Sequence, residues 1–232
     1  MRRLLIFVKE PVPRQVKTRL ATEIGAEAAC HVYRRCVERT LERLVALRGE
    51  ITLCVEPAEA MGRLQAWLGS AWPVQPQRGA TLGERLADAT DSAFAAGMRR
   101  VIVIGTDSPW LDHLRIEEAF SAMERTDLVL GPTEDGGYYL VGLAKSAPGL
   151  FHGISWSTSQ VLDQTLAAAR ASGMTSALLP EGYDIDRLTE LQRWMKEDPA
   201  CGLTPASSLL YNRGAFSVEE RRLFHDAPRA QP

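Results

Sequence analysis

The chain predicts an α/β fold built on an open sheet, and three observations carry that reading. Short, continuously apolar runs recur, such as Leu4-Leu5-Ile6-Phe7-Val8 and Val101-Ile102-Val103-Ile104, as expected of strands buried on both faces of a parallel sheet. Segments of helical periodicity alternate with these runs. The chain has 232 residues, 45% apolar and 24% charged, enough for one globular domain with a core of its own.

The first apolar run ends at a Pro-bearing loop. From Ala26 to Leu47 the pattern is helical: Ala28, Val32, Cys36, Thr40 and Leu44 share one stripe, while Arg34, Arg35, Glu38, Glu42 and Arg43 lie on the water side. Ile51-Thr52-Leu53-Cys54-Val55 reads as a second strand. A helix from Ala58 to Leu68 and a short strand at Val74-Gln75 follow. The next helix runs from Glu84 to Ala96, with Gly97 placed to cap it. After the strand Val101 to Ile104, a helix from about Asp112 to Arg125 leads into strands over 127–130 and 138–143. A helix over 157–171, a strand at Ala177-Leu178-Leu179 and a helix from Arg187 to Lys196 close the regular part. Residues 1–214 are expected to form a single domain. The charged, Pro-bearing stretch 215–232 is expected to be a loosely held tail.

Composition narrows the function. Lys and Arg (27) nearly balance Asp and Glu (29), for a net charge of −2, which disfavours a nucleic-acid binder. The apolar runs are too short to span a bilayer. The basic start Met1-Arg2-Arg3 is followed by an apolar run that breaks at Lys9-Glu10, so no secretory leader is expected. Four cysteines, without C-x-x-C or zinc spacing, read as small buried hydrophobes in a reducing compartment, and a cytoplasmic location is expected. A nucleophilic hydrolase is disfavoured, because G-x-S-x-G is missing and His31, His113, His152 and His225 lack obvious partners.

Ligands of open α/β sheets bind beyond the carboxyl ends of the strands. That directs the search to loops 9–20, 105–111, 131–138 and 184–187. Loop 9–20 sets Lys9, Arg14, Lys17 and Arg19 behind a buried strand, with Pro11 and Pro13 stiffening it: either a cradle for polyphosphate or a solvated basic loop. A Walker A loop is excluded, since Lys17-Thr18 lacks the preceding glycines. Asp107, in Gly105-Thr106-Asp107-Ser108-Pro109, either takes Mg²⁺ or Mn²⁺ or caps a helix starting near Pro109. Gly131-Pro132-Thr133-Glu134-Asp135-Gly136-Gly137-Tyr138-Tyr139 is either a ligand-packed loop or an ordinary hairpin, with the two tyrosines on opposite sheet faces. In Asp184-Ile185-Asp186 alternate carboxylates point opposite ways, so that one can bind metal while the other caps the following helix.

Taken in order, these loops resemble the GT-A (nucleotide-diphospho-sugar transferase) fold, and more narrowly the bacterial DUF2064 family, named as glycosyltransferases. The matching segments are Lys9-x-Pro11-x-Pro13 with Val16-Lys17-Thr18-Arg19-Leu20, Leu82-Gly83-x-Arg85, Gly105-x-Asp107-x-Pro109, Leu130-Gly131-Pro132-x-x-Asp135-Gly136-Gly137-Tyr138, Trp156-Ser157-Thr158 and Asp184-Ile185-Asp186. The resemblance spans about residues 4–192 and implies a GT-A-like three-layer α/β/α sandwich with a central, mostly parallel sheet. It also resembles 2-phospholactate guanylyltransferase-like enzymes on the same fold.

By that resemblance, Lys17 and Arg19 contact phosphates beside Lys9. Asp107 holds Mg²⁺ or Mn²⁺, with Asp184 or Asp186 completing the shell. Gln77, Leu82 and Gly83 lie near the base, and Asp135, Gly136, Gly137 and Tyr138 face the second substrate. Trp156 is either core or site. The implied activity is metal-dependent glycosyl transfer from a nucleotide or nucleotide-sugar donor to an unidentified small-molecule acceptor. Nucleotidyl transfer with release of pyrophosphate is the alternative, and a non-catalytic nucleotide-binding module is a third reading. Three positions depart from the family pattern. Arg14 stands where Gly is usual, which is expected to change the loop's geometry; Arg187 replaces Thr and Glu190 replaces Asp, which bear on helix capping.

Overall fold

A computed structural model describes residues 1–203, so the end of the expected domain and the expected tail over 215–232 lie outside the described residues. Two compact units divide the chain. The first comprises residues 1–10 and 40–184, and the second residues 11–39 with the chain from Ile185 onward.

The first unit holds the sheet. Its strands are β1 (Arg2–Lys9), β2 (Ile51–Glu56), β3 (Val74–Pro76), β4 (Arg100–Ile104), β5 (Leu128–Pro132), β6 (Tyr138–Leu143) and β7 (Ser176–Leu178). They lie in the order β3-β2-β1-β4-β6-β5-β7, and only β6 runs antiparallel to its neighbours. The period-2 pleat sends alternate residues to opposite faces. Leu5, Cys54, Val101, Val103, Leu128, Leu130, Val141 and Leu143 form one buried face, with Leu86, Ala89 and Ala169 of the helices above it. Those helices are α4 (Leu82–Ala95) and α6 (Val161–Ala171). On the other face, the end of α5 (His113–Ala122) brings Met123 onto Gly142 and Ile102; a Cβ at Gly142 would stand 3.1 Å from Met123 Sδ. Helix–sheet–helix layering is therefore present, as expected. A further helix, α3 (Met61–Leu68), precedes β3.

Helix boundaries show what periodicity alone misses. Helix α4 begins at Leu82 because Thr81 caps it: Thr81 Oγ1 accepts from the Glu84 amide at 3.2 Å, and Glu84 returns a carboxylate to the Thr81 amide. Helix α5 is capped by Asp112, which accepts from the Arg115 amide at 3.1 Å. Asp107 therefore caps no helix. Residues 157–160, read as helix from their pattern, are a loop with Ser157 at φ +64°, and α6 starts only at Val161.

The second unit holds α1 (Thr18–Ile24), the greater part of α2 (Ala26–Arg43) and α7 (Leu188–Glu197). The predicted stripe of α2, Ala28, Val32, Cys36, Thr40 and Leu44, is buried throughout. Arg35 is only half-buried; it donates to the Cys201 carbonyl at 2.9 Å, while Arg39 clamps Asp198 with bonds of 2.8 and 3.0 Å. Glu190 accepts from the Arg187 amide at 2.8 Å, so it supports the start of α7 despite departing from the family residue. All four cysteines are buried free thiols. Among the described residues no helix is long and apolar enough to cross a membrane.

Candidate active site

The strand order sets where a ligand can lie. From β1 the chain builds outward through β2 and β3, then returns to place β4 on the other side of β1. That reversal is a topological switch point, whose crevice opens at the carboxyl ends of β1 and β4. Gly105-Thr106-Asp107 follows β4 there. A Cβ built at Gly105 would lie in ordinary contact, 4.0 Å from Oδ2 of the half-buried Asp107 carboxylate.

A second carboxylate is fixed to the same turn. Ser108 Oγ, buried, donates to Asp184 Oδ1 at 2.5 Å. The approach of Asp184 is determined by residues 179–184, which run beside the end of β5. The amides of Leu179 and Gly182 donate to Leu130 and Pro132 at 2.9 Å each, and Glu134 donates to the Gly182 carbonyl at 3.1 Å. Trp110 pins the strap, donating from Nε1 to the Tyr183 carbonyl at 2.6 Å and stacking on the Tyr183 ring at 5.8 Å. Tyr139 packs edge-on to Trp110 at 4.9 Å and donates its hydroxyl to the Pro180 carbonyl at 3.1 Å. Burial pushes that phenol up to about 12. Ser108, Trp110 and Gly182 were not singled out from the sequence. The aromatic residue just after a G-x-D-x-P turn, and a Gly two residues before Asp184, were the signals available.

Loop 133–137 closes the β5–β6 hairpin. Asp135 Oδ1 accepts from Thr133 Oγ1 at 2.6 Å and from the Gly137 amide at 3.1 Å, so this exposed carboxylate organises its own loop. Gly136 takes φ +85° and packs on the Ser159 backbone, where a Cβ would meet the carbonyl oxygen at 2.3 Å. Gln164 in turn orders residues 155–160: its Oε1 accepts from the Ser155 amide at 2.7 Å, and its Nε2 reaches Gln160 at 3.1 Å. Tyr138 turns inward, edge-on to Trp156 at 6.4 Å, with its hydroxyl enclosed and its phenol pKa raised by burial. The two tyrosines do face opposite ways, and both are committed to packing.

The remaining residues assigned to this unit from the sequence are spread along its loops. Lys9 lies 3.8 Å from Glu56, which also pairs with Arg85. Gln77 continues β3: its amide donates to Val55 and its Nε2 to the Cys54 carbonyl at 2.8 Å. Leu82 is exposed at 45%. Gly83 is buried where a Cβ would meet the Phe151 carbonyl at 2.6 Å and Trp156 Nε1 at 2.9 Å, so its lack of a side chain admits Trp156.

In the second unit, Lys17 takes a left-handed φ of +48° at the cap of α1 and buries its side chain to 2% exposure. Its Nζ lies 3.5 Å from Asp186 Oδ1, and Arg19 Nη1 donates to Asp186 Oδ2 at 3.0 Å. Two cations against one carboxylate leave this trio net positive, with Arg19 half-exposed. Arg14 is exposed at φ +69°, at the third position of a turn closed by the Gln15 amide donating to Val12 at 3.0 Å. Pro before a positive-φ residue is type II geometry, which favours glycine. Arginine here adopts a conformation that glycine takes more easily.

The donors fit a divalent cation in a restricted way. Among the described residues no group of three His, Cys, Asp or Glu is assembled to hold a metal. Asp184 is tied through Ser108 to the turn bearing Asp107, whereas Asp186 is engaged by two cations of its own unit. Mg²⁺ is commonly held by one or two carboxylates together with substrate phosphates and water. Two hard carboxylates fit such a substrate-completed site rather than an all-protein cage.

Comparison with known proteins agrees with this architecture. The family model described as an uncharacterized protein conserved in bacteria (DUF2064) matches residues 40–158. A solved structure from Desulfovibrio desulfuricans G20, provisionally described as a nucleotide-diphospho-sugar transferase, is 30% identical, with a TM-score of 0.82, over 96% of this chain and 97% of that one. CMP:2-keto-3-deoxy-manno-octonic acid synthetase complexed with CTP shares the fold at 10% identity, with a TM-score of 0.52 over 86% of this chain and 98% of that one. So does the Rv0371c homolog from mycobacterium sp. strain JC1, at 10% identity and a TM-score of 0.54 over 86% and 97%. No curated protein matches the chain.

Proposed function

Because the chain belongs to the DUF2064 family, we propose that it is a metal-dependent transferase of the nucleotide-diphospho-sugar type, moving a glycosyl group from a nucleotide sugar to a small-molecule acceptor. The observation that carries the reading is the Ser108–Asp184 bond, which anchors a second carboxylate to the Asp107 turn at the sheet's switch point. The Desulfovibrio relative supplies the donor class.

Asp107 and Asp184 would hold Mg²⁺ or Mn²⁺. Such an ion would supply positive charge against the donor's phosphates, favouring departure of nucleoside diphosphate while an acceptor oxygen forms the new bond to the sugar's anomeric carbon and gives up its proton. Ser108 and Trp110 keep Asp184 in place, so little reorganisation is needed on binding. Lys17 and Arg19 are assigned to phosphate charge, and Asp135, Gly136 and Gly137 to the acceptor side. Nucleotidyl transfer is the second reading, favoured by the buried cation Lys17 beside Arg19.

A product assay with purified protein, Mg²⁺ or Mn²⁺ and a panel of nucleotide sugars tests the proposal. Release of nucleoside diphosphate is expected, whereas pyrophosphate from nucleoside triphosphates would replace sugar transfer with nucleotidyl transfer. Asp107→Asn should lower kcat/KM by about 10²-fold or more while leaving the thermal unfolding curve in place. Unchanged turnover would remove Asp107 from the mechanism.

A further inference from the structure

Loop 77–81 joins β3 to α4, and two side chains of α4 hold it. Glu84 Oε2 accepts from the amides of Ala80 and Thr81 at 2.6 and 3.3 Å. Arg85 Nε donates to the Gly79 carbonyl at 3.0 Å, and its Nη1 pairs with Glu56 at the end of β2. The 79–80 peptide unit is therefore fixed at both polar ends, its C=O by Arg85 and its N–H by Glu84. Gly79 makes that hold necessary. Its φ is +125°, and a Cβ would stand 2.6 Å from Glu84 Cβ and 2.9 Å from the Arg85 amide nitrogen, so glycine is required. Glycine leaves its peptide free to rotate unless something outside the backbone restrains it. Arg85 and Glu56 are mostly buried, whereas residues 78–82 are exposed.

We propose that Arg85 is a positioning residue for nucleotide selection, holding loop 77–81 in the one shape whose main chain reads the donor's base. The inference rests on the nucleotide-sugar reading above and deepens it. Strand spacing supports the placement. Strands β1, β2, β3 and β4 are parallel, with their carboxyl ends on one side, and β3 lies three strand spacings from β4, roughly 14 Å. A donor whose phosphates lie at the Asp107 turn after β4 extends across β1 and β2 and brings its base to the loop after β3. There the exposed main chain of Arg78 and Gly79 offers amides and carbonyls, the complements of the acceptors and donors along a base edge. The Nε and Nη1 of Arg85 are spent inside the protein, so the residue acts through the loop rather than on the base. Its contribution is preorganisation: a loop already ordered loses less freedom when the base docks.

The test is calorimetric titration of the whole chain with ADP, GDP, CDP, UDP and pyrophosphate, each with Mg²⁺. One nucleotide is expected to bind tighter than the weakest by about tenfold or more. Arg85→Lys keeps a charge beside Glu56 but lacks the second fixed donor. It should reduce that ratio by about threefold or more, with pyrophosphate affinity unchanged within about twofold. Glu84→Ala, which releases the other end of the same peptide unit, should do likewise. Selectivity left intact by either variant would overturn the positioning role and leave the transferase reading standing. An equal loss for all four nucleotides and pyrophosphate would overturn it too, as the mark of a merely structural residue, and so would equal affinity of the wild-type chain for all four nucleotides. Binding of none of the five by the wild-type chain would overturn the donor reading, and this inference with it.

Discussion

Arg14 sits in a backbone well that costs an L-residue about 1–2 kcal/mol. Replacing it with glycine removes that strain but returns about 0.5–1 kcal/mol of entropy to the unfolded chain. Arg14→Gly should therefore stabilise the protein by about 0.5–1 kcal/mol, raising Tm by roughly 1–4 °C, readable by calorimetry. A fall in Tm would mean that the guanidinium makes a stabilising contact. The sequence did not reveal this strain, because a proline followed by a non-glycine residue favours a type I turn, and only type II needs positive φ. Ser108 is harder to find. Its partner Asp184 is 76 positions away, and no local pattern encodes a hydrogen bond across that separation.

Among the elements, residues 179–184 bear most directly on the site, though they contain little regular structure. Gly182 is the contact that matters: a Cβ there would meet the Trp110 ring at 2.2 Å. Gly182→Ala should displace Trp110, loosen its bond to the Tyr183 carbonyl and release Asp184 from its position. Overpacking of this kind costs about 1–3 kcal/mol. Metal-dependent turnover should fall further than stability does, so an activity loss restored by excess Mg²⁺ is the expected signature, measured as a Mg²⁺ titration of rate. The inner strands were legible because they are short, mostly apolar and largely buried runs: the sequence's Val101 to Ile104 became β4 over Arg100–Ile104, whereas the edge strands β3 and β7 are short and only partly buried. Residues 157–160 were not: Ser157 departs from helical φ, and the hydrogen bonds of Gln164 decide the conformation instead. The two-unit division was invisible for a related reason. Its breaks fall next to Glu10, Arg39 and Asp184, inside loops and within α2, where composition does not change.

The first unit's stability should depend on pH through carboxylates held by hydrogen bonds at its edges. Asp127, just before β5, accepts from the Thr175 amide at 2.9 Å and from Thr175 Oγ1 at 3.1 Å, and pairs with Lys145 at 2.9 Å. The backbone bond from Thr175, then Lys145, holds its carboxyl below the usual range. Glu117 is likewise lowered, chiefly by the bond from Arg2, which reaches it at 2.6 Å. A carboxylate depressed in the folded state binds its proton more readily when unfolded, so its stabilisation is complete above the unfolded value and fades as pH falls through the folded one. Tm should thus hold level from pH 7 down to about 5 and decline below about 4. Asp127→Asn gives up the charged bonds joining the starts of β5 and β7, so its Tm should be lower at pH 7 and the gap to wild type should narrow toward pH 2.5. Parallel curves for the two proteins across that range would assign the acid sensitivity to other groups, and Glu117→Gln measured in the same series would show whether the Arg2 pair carries it.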